Sequence, residues 1–297
     1  MAGNEMSKIV VAVATLGRPD DVADLLEALS EQTRQPDHIV LSVTDPQSDL
    51  PDPEIYQDAD VLTGSKGLCA QRNRVLEHIK AEYDFLVFFD DDYIPSKTTI
   101  EDIVSFFEAH PDVVGMSGRL LADGILGPGL SKFEATDLVK TYDANPPSEA
   151  NQQKPVNDLY GCNMAYRVSA IGTTRFDERL PAYGWLEDVD FSNQLLARGK
   201  LVKTDAFVGV HRGTKRARSR GKPLGYSQIA NPLYLAGKGT MSKSDALIQL
   251  SRNIIANHVK TLRPEPWVDR WGRVRGNWIA ITDLLRGRLD PERIVHL

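Results

Sequence analysis

The chain has 297 residues, 41% hydrophobic and 26% charged, the balance of a soluble globular protein with one large core or a core plus an appendage. No run approaches the roughly 18 apolar residues that span a bilayer, Met1–Lys8 lacks a signal peptide's apolar core, and Cys69 and Cys162 are too few for a disulfide framework or zinc site, so a cytoplasmic setting is expected. The net charge of −6 is uneven: residues 1–210 carry 18 Lys/Arg against 35 Asp/Glu (−17) and residues 211–297 carry 17 against 6 (+11).

Lys8–Ala14 (KIVVAVA) reads as a buried strand followed by a loop over Thr15–Pro19. Val22, Leu25, Leu26 and Leu29 recur at helical spacing and predict a helix over 20–32. His38–Val43 is a second strand ending at Asp45-Pro46. Asp60–Thr63 is a short third strand, and residues 64–67 turn into a helix that runs through His78. Phe85–Phe89 is a fourth strand, with a helix to about Ala109 after it. Residues 119–158, broken by Gly, Pro, Asn and Ser, predict an irregular lid or binding loop. Helical spacing returns around Val189–Leu196, before a strand at Leu201–Val208 and a basic loop over 211–222. The tail has amphipathic stretches near 243–262 and 267–286. Strands alternating with helices predict a three-layer α/β domain with a mostly parallel sheet over residues 1–230, and a basic, mainly helical extension over 231–297.

The fourth strand ends in three carboxylates, Asp90, Asp91 and Asp92. Adjacent acids repel unless a cation sits among them, and the carboxyl end of a sheet strand is where open α/β sheets bind ligands. The triplet therefore predicts a divalent metal with a polyphosphate behind it. The competing reading is an acidic start to the next helix, where such residues suit the dipole.

Several ordered motifs resemble those of the family 2 glycosyltransferases. Asp90-Asp-Asp-Tyr-Ile-Pro95 is similar to D-x-D-x-x-P, and Gly67-Leu-Cys-Ala-Gln-Arg-Asn73 to G-x-x-x-x-R-N. Gly161-Cys-Asn-Met-Ala-Tyr-Arg167 is similar to G-x-N-M-A-F-R, and Phe176-Asp-Glu178 with Gly184-Trp-Leu-Glu-Asp-Val-Asp190 resembles the acceptor segment. The resemblance covers about Lys8 to Thr214. It implies a GT-A (Rossmann-like) fold and an inverting transfer of sugar from a nucleotide-sugar, most often a UDP-sugar, to a saccharide or lipid-linked acceptor. The Q-x-x-R-W motif of processive members is missing, since Trp267-Val-Asp-Arg-Trp271 has Trp where Gln should stand, which implies a non-processive enzyme.

The resemblance also implies roles for individual residues. Asp92 and His211 would hold Mn²⁺ or Mg²⁺, with Asp90 in the metal shell or at the ribose and Asp91 a structural member of the donor site. Asp188 would be the general base, with Glu187 its rival, and Trp185 would offer the acceptor sugar an apolar face. Thr15, Arg18 and Asp45 would line the base pocket, Arg72 would reach the diphosphate or sugar, and Asn163 would meet donor or acceptor hydroxyls. Asp45 reads equally as a turn residue before Pro46, Arg72 as an exposed helical arginine, and His211 as part of the basic loop.

Trp267, Trp271, Val274, Trp278, Ile281 and Leu285 recur at helical spacing among arginines. They read either as an amphipathic helix on an anionic membrane or as a stripe packed on the catalytic domain or on a second subunit of a homodimer, with Gly272 and Gly276 weakening the helix. Nucleic acid is not an expected partner, because no recognition motif accompanies the basic loop. Two other classes fit less of the pattern. A nucleotidyltransferase would carry a glycine-rich basic signature near its N-terminus, and a non-catalytic nucleotide-sugar-binding module has no need of every candidate catalytic acid.

Overall fold

A computed structural model describes residues 6–79, 82–147, 152–215 and 221–297; the expected basic loop falls partly outside them, at 216–220. The chain forms two compact units. The first comprises Met1–Lys66, Gln71–Arg175 and Leu195–Ala217, and the second Gly67–Ala70, Phe176–Gln194 and Arg218–Leu297.

The first unit is built on a nine-stranded sheet among the described residues. Its elements are β1 (Ile9–Ala14), α1 (Pro19–Ser30), β2 (His38–Val43), α2 (Pro46–Asp49), β3 (Asp60–Thr63), most of α3 (Leu68–His78), β4 (Phe85–Asp90), β5 (Tyr93–Pro95), α4 (Thr99–Ala109), β6 (Val113–Asp123), α5 (Lys132–Ala144), β7 (Gln153–Val156), β8 (Asn163–Arg167), α6 (Val168–Ile171) and β9 (Lys200–His211). The order is β3-β2-β1-β4-β8-β6-β9-β5, with β7 also on β9. β1 to β4, β6 and β9 run one way and β5, β7 and β8 the other, so the expected mostly parallel α/β sheet is present.

Local chemistry explains these elements. β1 lies between β2 and β4 and is apolar throughout, as a strand covered on both faces must be. α1 opens with Pro19 and two acids in its first turn, then buries Val22, Leu25, Leu26 and Leu29. α4 turns Ile103 and Phe107 inward, where the Phe107 ring stacks on Phe85 at 4.8 Å.

The irregularity expected over 119–158 is corrected by the structure. The segment holds the second half of β6, the helix α5 closed by a Ser131/Glu134 capping box, and β7. Gly115 and Gly118 hide the strand pattern because they give room to Tyr166 and Phe207, which a Cβ would strike at 2.8 Å and 2.4 Å.

The second unit contains α7 (Glu187–Leu195), α8 (Gly221–Lys238), α9 (Lys243–Lys260) and α10 (Arg270–Leu285), then a 3₁₀ turn over Pro291–His296. The boundary expected at residue 230 lies inside α8. Tyr226, Ile229, Ala230, Ala280 and Ile294 form the core. Gly272 and Gly276 do not interrupt α10: a Cβ on Gly276 would lie 2.1 Å from the Lys222 carbonyl, and one on Gly225 2.1 Å from that of Arg273. The small residues let two helix backbones touch, and Asn277 Nδ2 donates to Gly225 O across the contact at 2.6 Å.

Candidate active site

Three potential metal-ligating groups converge where β4 ends. Asp90 is the last residue of β4, Asp92 precedes β5, and His211 closes β9 opposite Tyr93 in the antiparallel β5–β9 pair. His211 Nε2 stands 3.3 Å from Asp92 Oδ1 and 3.8 Å from Asp90 Oδ2. Its Nδ1 meets Asp123 Oδ1 at 2.9 Å, and Tyr160 donates to Asp123 Oδ2 at 3.1 Å. Thr214 N donates to Asp92 Oδ2 at 2.6 Å.

This geometry depends on a close backbone crossing. Gly213 adopts φ +64°, and a Cβ there would lie 2.3 Å from Gly124 C. One on Gly124 would lie 2.0 Å from Arg212 O. Glycines at both positions let the segment after β9 pass against the end of β6, which delivers Thr214 N to Asp92 and Asp123 to His211.

The electrostatics follow. Burial opposes charge on His211, but hydrogen bonds to Asp123 and Asp92 and the charges of Asp92 and Asp90 outweigh it and raise the imidazole to about 10. Burial likewise opposes ionisation of Asp92, yet His211, Arg18 and the Thr214 amide together hold its carboxyl well below the usual range. Asp91 is pushed upward, chiefly by burial, against the attraction of Arg18. The ligand atoms of Asp90, Asp92 and His211 all lie within 4.8 Å of one another. Two carboxylates and an imidazole fit Mn²⁺, and the oxygen pair also suits Mg²⁺.

The other residues expected in the donor site divide into two groups. Thr15 Oγ1 donates to Asp91 Oδ2 at 2.7 Å, and Arg18 Nη1 to Asp91 Oδ1 at 2.8 Å, with Asp92 Oδ2 3.8 Å away. Arg72 is buried, donates to Asp90 Oδ1 at 3.2 Å and Gly161 O at 2.9 Å, and lies over the Phe88 ring, so the exposed-arginine reading does not hold. These residues join the acidic cluster. Asp45 is exposed and caps α2 by accepting from Gln47 N at 3.2 Å. Asn163 is fully buried opposite Phe89, its Nδ2 donating to Gly118 O at 3.3 Å.

Two residues at the site have no counterpart in the sequence reading. Asp123 reaches His211 only through the register of β6 and β9, which pairs those positions. Asp49 is buried and accepts from the amides of Gly17, Thr44 and Asp45 at 2.7, 2.8 and 2.9 Å, which fixes the loops after β1 and β2. Elsewhere, Asp60 accepts from His38 and His78 at 2.9 and 2.6 Å, at the amino ends of β2 and β3, the opposite sheet end from Asp90.

In the second unit, the chain before α7 is tightly turned. Ala182 (φ +60°), Gly184 (φ +65°) and Leu186 (φ +73°) are left-handed, and two of these are not glycine. Such backbone costs roughly 1–3 kcal/mol per residue and persists where its surroundings enforce it. Here Leu68 N donates to Ala182 O and Asn231 Nδ2 to Trp185 O, both firm contacts at 2.9 and 2.7 Å. Glu187 is buried and its N donates to Gly184 O. The partly exposed Asp188 accepts from Val189 N at 2.8 Å. Asp190 is fully buried, taking bonds from Thr240 at 2.6 Å and Lys238 at 2.8 Å.

Comparison with known proteins agrees with this architecture. The model for glycosyl transferase family 2 matches residues 10–174. No curated protein matches the sequence. Among solved structures, TarS of S. aureus superposes with a TM-score of 0.55 at 16% identity, covering 98% of this chain and 50% of that one, so the chain spans half the length of TarS. TarS 1–349 in complex with UDP-GlcNAc gives 0.55 at 17% identity, covering 98% and 83%. The mannosyltransferase PcManGT from Pyrobaculum calidifontis, in complex with GDP-Man and Mn²⁺, gives 0.55 at 14% identity, covering 96% and 89%. At these identities the superpositions establish the GT-A-like fold, and the family match over more than half the residues establishes membership: the chain belongs to glycosyltransferase family 2.

Proposed function

We propose that the protein is a metal-dependent, inverting, non-processive hexosyltransferase that moves a sugar from a nucleotide-sugar, with UDP the favoured nucleotide, to a hydroxyl of a saccharide or lipid-linked saccharide in polysaccharide biosynthesis. The observation that carries this reading is the convergence of Asp90, Asp92 and His211 at the carboxyl end of the sheet. Similar structures that hold GDP-Man with Mn²⁺ and UDP-GlcNAc support a nucleotide-sugar donor. The missing Q-x-x-R-W pattern supports one transfer per encounter.

Sugar transfer faces two barriers, negative charge on the departing diphosphate and a poorly nucleophilic acceptor hydroxyl. Mn²⁺ or Mg²⁺ held by Asp92, His211 and Asp90 supplies Lewis-acid stabilisation of the diphosphate when bound. Arg18 and Arg72 keep the neighbouring carboxylates balanced, so that the acidic cluster can stay assembled beside an anionic donor. Thr15 and Arg18 orient Asp91, and Asp45 stands at the end of β2, where it contacts the nucleotide base. Asp188 takes the proton from the acceptor hydroxyl, Glu187 and Trp185 hold the acceptor, and Asn163 shapes the sheet end behind the donor.

The test is a thermal-shift panel of UDP-, GDP- and dTDP-sugars with and without Mn²⁺. A cognate donor at a hundred times its Kd stabilises by about 2.7 kcal/mol. Stabilisation by one nucleotide class, and only with the metal, is expected; a chain indifferent to every donor contradicts the reading.

A further inference from the structure

We propose that the outward face of α9 and α10 docks on an anionic lipid surface. On α9, Ile248, Arg252, Ile255, Val259 and Leu262 follow one another at steps of four and three residues, the last just past the helix end. On α10, Trp271, Arg275, Trp278, Thr282 and Leu285 do the same. Steps of four and three lie along one face of a helix, and each stripe faces water: Ile255 is 62% exposed, Leu262 85%, Trp271 61%, Trp278 57% and Leu285 83%. The rings of His258 and Trp278 meet edge to face at 6.0 Å, which sets the two stripes side by side.

Part of the buried side of these helices is polar. Asn257 donates to Gln228 and Asn277, and Arg270 donates to Asn257, in an internal network. The outer stripes are additional to the apolar side chains, Ala246, Ile254 and Ala280 among them, that these helices turn inward.

Charge selects the occupant. Most acids of this region are paired within the unit: Asp283 with Arg288 and Arg293, Glu265 with Lys260 and Arg270, while Asp269 caps α10 and the exposed Asp245, at the start of the α9 stripe, accepts from Ser242. Arg252, Arg263, Arg275 and Arg286 are exposed on or beside the stripes. Four exposed arginines against the one acid Asp245 leave the face net positive, which anionic headgroups complement more fully than a second copy of the same face. Indole rings suit the headgroup depth, and arginine stems lie along apolar surface with their charge held outward.

The inference does not depend on the sugar or on the metal, and its test needs no turnover. The full chain is sedimented with vesicles of phosphatidylcholine alone and of phosphatidylcholine with phosphatidylglycerol, while tryptophan emission is recorded. Binding to the anionic vesicles with a blue shift, weakened by salt, is expected. Trp271→Ser with Trp278→Ser should weaken partitioning at least tenfold, and Arg252→Gln with Arg275→Gln by about fivefold per charge. Because all four side chains are exposed, circular dichroism should stay that of the parent. Absence of the parent from the anionic pellet overturns the proposal, as does undiminished binding by the tryptophan variant. A dimer in sedimentation velocity, lost in that variant and without vesicle binding, would assign the face to a second copy instead.

Discussion

Replacing Arg18 with methionine should destabilise the fold by about 3 kcal/mol. The guanidinium lies 2.8 Å from Asp91 and 3.8 Å from Asp92, whose side chains are 4% and 2% exposed, against 16% for its own. Methionine keeps the apolar stem and removes the charge, which leaves Asp91 with Thr15 as a hydrogen-bond donor but without its nearest cation. Removing one partner of a buried pair costs about 3–5 kcal/mol, and the residual exposure of Arg18 argues for the lower end. With a urea slope near 3 kcal/mol per molar, the unfolding midpoint should fall by about 1 M. The double variant Arg18→Met/Asp91→Asn removes the unpaired carboxyl as well and should recover about 2 kcal/mol of the loss. A single variant within about 0.5 kcal/mol of the parent would refute the reasoning, as would a double variant no better than the sum of its parts.

Two further predictions concern the backbone and the second unit. Gly213→Ala must place a Cβ against Gly124 at positive φ, so strain and overpacking together should cost about 3 kcal/mol in urea unfolding; parental stability would deny the close crossing. Lys238→Met leaves Asp190 and Asp177 without their shared cation, and urea midpoints should register a loss of about 3 kcal/mol at neutral pH. Burial opposes charge on Asp177, but Lys238 and Tyr234 hold its pKa below the ordinary carboxylate range. Its stabilising share is therefore present above that range and fades as pH falls through the lowered value. The gap between parent and variant should narrow in acid, and a gap that widens would reverse the assignment.

The elements with a strong local signature were legible in the chain. β2 and β3 fall on the expected residues because apolar or β-branched runs end at turn residues. β6 was not, because Gly115 and Gly118 serve neighbouring rings rather than the strand itself. α5 is mostly exposed, with Ala135 and Val139 its buried residues, so periodicity is weak. Its Ser131-x-x-Glu134 capping box was the available signal. In the site, the triplet and His211 stood out through adjacency and motif. Asp123 could not, since nothing in sequence links it to a residue 88 positions away; only sheet register does. Asp49 looks like any acid in a turn until three amides are seen to point at it. The tail's tryptophans were visible but their direction was not, because helical spacing defines a face without saying whether protein or water meets it.

The most direct measurement is transfer from the donor found by the thermal-shift panel, assayed with and without Mn²⁺ for the parent, Asp92→Ala and Asp188→Asn, with donor binding followed in parallel. Asp92→Ala should lose metal-dependent donor binding and transfer together. Asp188→Asn should keep donor binding within about threefold and lose transfer by 10²-fold or more, the scale of a general base. Full transfer by either variant, or parental turnover in a metal chelator, would contradict the account.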